Sequence, residues 1–173
     1  MAKTRRTRRR FRRAKWSSNI QELNSVPIAT VNGTWSGTAT LATNPSQTTL
    51  GVSNIYTVKN FETAFTIEAA GSAHINGVES ITAYIMFVPQ GMNVSENYNL
   101  DHPEYIMNYK YLGSPNAVAG TDEKQNFQPY KLRTRLSRKL NTGDSIILFI
   151  KGTATGTGNL ELSGLVRWWT KAN

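Results

Sequence analysis

Short runs of aliphatic, β-branched and aromatic residues recur from Trp16 onward, separated by clusters of Gly, Asn, Pro and Ser. Runs of this kind between turn residues predict β-strands. Roughly seven to nine of them, without alternating helices, predict an all-β protein, either a sandwich or a jelly roll of antiparallel strands. The clearest predicted strands are Ile55–Ala69, Ser80–Pro89, Tyr130–Leu140, Ser145–Lys151 and Asn159–Thr170, with Asn19–Val31 and parts of Thr34–Leu50 as further candidates.

Two of these segments differ in how their side chains alternate. The segment Ile146–Ile150 is apolar throughout, which predicts a strand covered on both faces. The segment Tyr130–Leu140 alternates, and Arg138 departs from the pattern onto the apolar face. Its predicted apolar face carries Tyr130, Leu132, Thr134, Leu136 and Leu140, and its predicted basic face carries Lys131, Arg133, Arg135 and Lys139.

Turn and helix signals fit between the predicted strands. Asn76-Gly77 and Asn141–Asp144 have the composition of turns. Asp101 followed by Pro103 predicts one turn of helix, with Asp101 as its N-cap, and then a strand Ile106–Leu112. The alternative for this segment is a loop that runs directly into the strand.

Charge divides the chain into an arm, residues 1–15, and a body, residues 16–173. The net charge is +9. Nine basic residues and no acidic residue lie in the arm: Lys3, Arg5, Arg6, Arg8, Arg9, Arg10, Arg12, Arg13 and Lys15. The body holds the remaining 11 basic residues against 11 acidic ones, so it is formally neutral. An arm this charged and this poor in apolar residues is predicted to be disordered alone and to bind a polyanion.

Nucleic acid is the polyanion that the arm suits best. Arginine grips phosphate oxygens in pairs, and Phe11 and Trp16 are placed to stack on bases. If all nine cations displaced counterions from a single strand, the log–log salt slope of binding would be roughly −6. The alternatives are a nuclear-import signal or a solubility tail, and import is compatible with packaging. A mitochondrial presequence is disfavoured because only Phe11 would anchor an amphipathic helix, and no apolar stretch follows the basic residues as a secretory signal requires.

Further candidates lie in the body. The basic face of Tyr130–Leu140 either extends the nucleic-acid surface of the arm or forms salt bridges with acidic groups of neighbouring subunits. Trp168 and Trp169 are adjacent, so in a strand they point to opposite faces. One can fill the core, and the other is a candidate for a subunit interface or for burial under a loop of the same chain.

The residues offer little for catalysis. There is no cysteine, and the two histidines, His74 and His102, lack the spacing of metal ligands. Gly152–Gly158 lacks the Lys-Ser/Thr ending of a phosphate loop and leads into a strand pattern, so we interpret it as a turn. We expect no enzymatic activity, no metal and no cofactor. No apolar run of the roughly 18 residues that a membrane helix needs is present, so no membrane insertion is expected.

Five segments in a fixed order resemble capsid proteins of small circular single-stranded DNA viruses, the circovirus-like group that encodes a replication protein. They are TRRTRRRFRRAKW at 4–16, ITAYIMFVPQG at 81–91, HPEYIMNYKYLGSP at 102–115, LRTRLSRKL at 132–140 with Thr142–Asp144, and GLVRWWTKAN at 164–173. Together they span the chain from the arm to the last residue, and their order is more specific than any one of them.

The resemblance implies an eight-stranded antiparallel jelly roll of two four-stranded sheets. It also implies self-assembly into a T=1 icosahedral shell of sixty copies, a virion whose arms point inward onto single-stranded DNA. Sixty arms would bring about 540 positive charges to the phosphates. Entry into the host nucleus through import receptors that bind the arm, as a nuclear localization signal, is a further implication.

Three other classes of protein share part of this pattern. A satellite-virus coat protein has the same arm and fold and packages RNA. A ribosomal-type RNA-binding protein usually spreads its basic residues over the body, whereas this body is neutral. A carbohydrate-binding β-sandwich would leave the arm unexplained.

Overall fold

The computed structural model describes residues 15–44, 55–69, 78–113 and 129–172. They form eight strands: β1 Ser17–Thr30, β2 Gly33–Thr43, β3 Tyr56–Ala69, β4 Val78–Val88, β5 Ile106–Gly113, β6 Tyr130–Leu140, β7 Ser145–Ala154 and β8 Gly158–Ala172. Between β4 and β5 lie one helical turn, α1 Tyr98–Asp101, and a 3-10 turn, Pro103–Tyr105. The all-β prediction is therefore confirmed.

The eight strands form two antiparallel sheets of four. The first sheet has the order β1-β8-β3-β6, and the second has the order β2-β7-β4-β5. Apart from the step from β4 to β5, each strand is followed by one in the other sheet, so the chain repeatedly crosses between layers. This strand order is that of a jelly roll, which closes its core between two sheets.

The core lies between the inner faces of the sheets. Phe61 and Phe65 of β3 are 0% and 1% exposed, and they face β7, where Leu148 is fully buried. Val166 of β8, Leu132 of β6 and Leu23 of β1 also contribute to the core from the first sheet. Because every second residue of these strands is apolar, each strand buries one face in the core.

The part of the second sheet's outer face that lies over β7 and β4 is covered by its own chain. Ile147 and Phe149 point away from the main core, yet both are buried beneath Tyr98 of α1. The Tyr98 hydroxyl donates a hydrogen bond of 3.1 Å to the Phe87 carbonyl and so ties α1 to β4. The prediction that Ile146–Ile150 is covered on both faces is confirmed, and the segment 89–105 supplies the second cover.

Asp144 fixes the β6–β7 turn beneath this cover. Gly143 has φ +87°, which favours glycine, and the Asp144 amide donates to the Asn141 carbonyl at 3.1 Å. The Asp144 carboxylate is buried and accepts from the Gln90 amide at 2.9 Å and from the Asn141 amide at 2.8 Å. The turn predicted at Asn141–Asp144 is present, and it is hydrogen-bonded to the segment that follows β4.

A helical turn is present as predicted, but the prediction of Asp101 as its N-cap is wrong. Asp101 is the last residue of α1, and Asn97 occupies the cap position. Pro103 begins the separate 3-10 turn, where its fixed φ is compatible with a first helical position. The chain therefore enters β5 through two short turns, because a proline cannot donate the amide hydrogen bond that would continue α1.

Leu136 departs from the face predicted for it. The register of β3 against β6 shifts between Lys59 and Phe61, where Asn60 has φ +54°. The bulge removes Leu136 from the core and leaves it 53% exposed, whereas Leu132 and Leu140 remain buried. Alternation alone does not reveal such an extra residue.

Several predicted features lie outside the described residues. They are the arm up to residue 14, the turn at Asn76-Gly77, His74, and the end of the segment Thr34–Leu50. Within the described ranges, no helix has the length and apolarity needed to cross a bilayer.

Candidate nucleic-acid interface

The arm joins the body at one edge of the first sheet. Lys15 is exposed, Trp16 is half-buried, and Ser17 begins the edge strand β1 opposite Thr170 of β8. The Lys59 ammonium lies 3.9 Å from the centre of the Trp16 ring. A cation this close to an aromatic face is attracted to it, so this contact holds the root of the arm against β3.

The face of the first sheet that points away from the core is here called the open face. Within β6, Lys131, Arg133 and Lys139 belong to it, because they are exposed and each is adjacent to a buried residue of the same strand, Leu132 or Leu140. Arg135 lies exposed within the bulge. The basic face predicted for β6 is therefore present, although the bulge interrupts it.

Arg138 is on the other side of β6, as its sequence position predicts. Its guanidinium donates to the Glu104 carbonyl at 2.6 Å and lies 5.8 Å from the Phe87 ring centre. These contacts fasten the edge of the first sheet to the cover of the second. Arg138 thus has a structural role that the other β6 cations do not share.

Three more cations join the open face from strands that are distant in sequence. Lys59 lies on β3, and Arg167 and Lys171 lie on β8. The alternation of Leu165, Arg167, Trp169 and Lys171 is visible in the sequence, but the sequence does not show that β8 shares a sheet with β6, with β3 between them. It depends on β3 pairing with both β8 and β6.

Acidic groups on the open face are distributed unevenly. Glu62 Oε1 lies 2.9 Å from Arg133 Nη2 and partly compensates it. Glu68 and Glu161 are paired across β3 and β8 at the end remote from Ser17, and Glu22 lies between, opposite Leu165. The half of the open face nearest to the arm is thus cationic, and the far half is acidic.

The two adjacent tryptophans have different environments. The Trp168 ring stacks on Phe61 with 6.1 Å between ring centres and packs against the core. The Trp169 ring belongs to the open face, where the Arg167 guanidinium lies 4.5 Å from its centre. Of the two, only Trp169 is placed to contact another molecule, and a subunit-interface role for either stays a prediction.

Other chemistry is sparse in the described part of the chain. His102 contacts the exposed Glu104 at 3.3 Å, and no group of three or more His, Asp or Glu residues converges as a metal site within these ranges. The turn predicted at Gly152–Gly158 is shorter than expected, because β7 continues to Ala154 and β8 begins at Gly158, which leaves residues 155–157 as the connection.

No family model and no curated protein matches the chain in sequence. Among solved structures, the VP2 subviral particle of infectious bursal disease virus is similar at 10% identity with a TM-score of 0.40, over 90% of this chain and 33% of that chain. A structure of maize chlorotic mottle virus is similar at 11% identity with a TM-score of 0.35, over 90% of this chain and 92% of that chain. A pentameric capsid protein from metagenomic phage sequences is similar at 17% identity with a TM-score of 0.21, over 83% of this chain and 61% of that chain. The chain spans about a third of the VP2 length, and scores this low add nothing to what the strand order establishes.

Proposed function

We propose that this chain is a viral coat protein that assembles with its own copies into a closed shell and packages nucleic acid through its basic arm. The observation that carries the proposal is the attachment of nine arm cations to a neutral jelly-roll body, at the cationic end of its open face. Jelly rolls are common in viral shells, and such a body tiles without repelling its neighbours while the arm supplies the charge. The role is structural and involves no catalysis.

The finer assignment rests on the sequence resemblance to the circovirus-like group. It favours single-stranded DNA as the cargo, sixty copies per shell, and entry of the coat protein into the host nucleus through the arm. A satellite-virus-type coat that packages RNA is the alternative. Treating the purified particles with DNase or RNase after they are opened, and measuring which enzyme degrades the released cargo, separates the two.

Electron microscopy of the purified full chain tests the proposal. We expect uniform closed particles that protect nucleic acid from added nuclease. A chain that stays monomeric across a range of salt and pH would contradict it.

A variant of the full chain tests the role of the arm separately. Serine in place of Arg8, Arg9, Arg10, Arg12 and Arg13 removes five of the nine arm cations, so the salt slope of binding to a single strand should become less steep by roughly 3.5. A matched variant with lysine at the same five positions keeps the charge and should keep most of the slope. If the serine variant retained the full slope, the body rather than the arm would hold the nucleic acid.

A further inference from the structure

A groove crosses the open face at right angles to its strands. It has a volume of about 460 Å³, and its apolar floor is formed by Ile20 of β1, Leu165 of β8 and Ala64 of β3. Ile20 is 69% exposed and Leu165 is 51% exposed. Large aliphatic side chains this exposed on neighbouring strands leave apolar surface in water, which a partner can cover.

Cations form the walls of this groove. Arg167 stands opposite Ile20 in the strand register, and Arg133 and Lys131 close the β6 end. Glu62 is the one acidic residue among the lining side chains, and it is paired with Arg133. The lining therefore has an excess of two positive charges around an apolar floor.

Position and size agree with a strand of nucleotides. Three inter-strand spacings give the groove a length of about 14 Å, which accommodates roughly four stacked nucleotides. Ile20 is three residues into β1, so the groove begins beside the root of the arm. A polyanion held by the arm is thereby brought to the groove.

From this juxtaposition we infer that the groove binds unpaired nucleotides of single-stranded nucleic acid, with bases on Ile20, Ala64 and Leu165 and phosphates on Lys131, Arg133 and Arg167. The inference rests on the proposed function and deepens it. The floor presents aliphatic carbon, which covers any base and reads no sequence. A duplex holds its bases paired and stacked in its interior, so the site discriminates against double strands.

The test compares two strands that differ only in their bases. Full-length protein, freed of nucleic acid and held at the lowest salt at which it stays dissociated, is titrated with labelled oligothymidine and with an abasic strand of equal length. The arm's cations contribute equally to both affinities. Stacking on Phe11 and Trp16 would also favour oligothymidine, so the contribution of the groove is the part of the preference that a substitution in the groove removes. We expect oligothymidine to bind about ten-fold more tightly, since apolar contact with the bases is present in only one of the two.

Ile20→Ser should reduce this preference to about two-fold or less while leaving the affinity for the abasic strand unchanged. Ile20 is on an edge strand and mostly exposed, so the variant is expected to fold. Leu100→Ser is the matched control, because Leu100 is 68% exposed and lies on α1 at the other sheet. That control should keep the ten-fold preference.

Two results would overturn the inference, and the second has a special case that identifies another role for the groove. Equal affinity of the unchanged chain for both strands would remove the base site and leave the arm as a polyanion binder. An unaltered preference in Ile20→Ser would place the base site elsewhere. If Ile20→Ser kept the preference for oligothymidine and also assembled poorly into particles, the groove would be a contact between copies of the chain. If neither strand bound at all, the proposed function itself would fail.

Discussion

The outer faces of the two sheets differ in how far the protein's own chain covers them. The second sheet covers Ile147 and Phe149 with its own chain, and Tyr98 closes that cover. The first sheet leaves Ile20 and Leu165 exposed among cations. The cover extends over β7 and β4 but not over β5, where Tyr109 and Tyr111 are each 64% exposed. The open face differs because it combines exposed aliphatic side chains with cations, and we expect a partner to bind there. We expect substitutions in the second sheet to change folding and those on the open face to change binding.

The largest difference in the free energy of unfolding is expected between substitutions of two apolar side chains, one on each outer face. Phe149→Ala should lower the free energy of unfolding by about 3–5 kcal/mol, because the ring is fully buried and its loss leaves a cavity. Leu165→Ala should cost less than about 1 kcal/mol, because half of that side chain is already in water. Denaturant titration of the dissociated chain measures both values. Equal losses would show that the open face is covered in solution.

A smaller loss of stability is expected for a substitution in the turn between β6 and β7. Asp144→Ala leaves the Gln90 and Asn141 amides without their buried acceptor, so stability should fall by about 2–3 kcal/mol. Asp101→Ala is the control, because that carboxyl is exposed and does not cap α1. The control should change stability by less than about 0.5 kcal/mol. A similar loss in both variants would indicate that acidic charge, and not this hydrogen-bonded turn, is what matters.

Tyr98 provides a pH-dependent test of the same cover. Burial, followed by the neighbouring Tyr105 and Glu104, raises the pKa of Tyr98 from 10.0 to about 12. The folded state therefore favours the neutral phenol, and the stability that this provides is present below pH 10 and is lost as pH rises toward 12. Tyr98→Phe should cost about 1 kcal/mol at neutral pH through its lost hydrogen bond.

The same variant should show a flatter decline of stability between pH 10 and 12, because it has no phenol to ionise there. Alkaline unfolding followed by circular dichroism measures the decline. Tyr111→Phe, with 64% of that residue exposed, is the control and should follow the unchanged chain. An identical alkaline decline in Tyr98→Phe would mean that Tyr98 does not control it.

The smallest effect on stability, under about 1 kcal/mol, is expected for the cations of β6. Lys131, Arg133 and Lys139 are all replaced with glutamine. Among the described residues, this change removes one ion pair with an acidic group, the exposed contact between Arg133 and Glu62. If they hold phosphates, the salt slope for a single strand should become less steep by about 2.

Arg138→Gln on the same strand should leave that slope unchanged, because Arg138 faces the cover of the second sheet. An unchanged slope in the triple variant, together with weakened particles, would favour salt bridges between subunits.

Local patterns in the sequence predicted much of this fold. Tyr130–Leu140 and the start of β7 at Ser145 were located by alternation and by the Asn141–Asp144 turn. The exposure of Leu136 was missed because a bulge depends on the partner strand. The contribution of Lys59 and Arg167 to the open face was missed because it requires β3 to pair with β6 and β8, whose partner residues lie 65 to 116 positions later in the chain. Local residue choice determines strands and turns, whereas surface neighbours depend on pairing across the whole chain.

Electron cryomicroscopy of the nucleic-acid-filled particle tests the central claim most directly. The account predicts a closed shell whose subunits turn the open face of the first sheet, with Ile20 and Arg167, toward the interior and against nucleic-acid density. A shell in which that face points outward, while the Tyr98 cover of the second sheet faces the cargo, would contradict it.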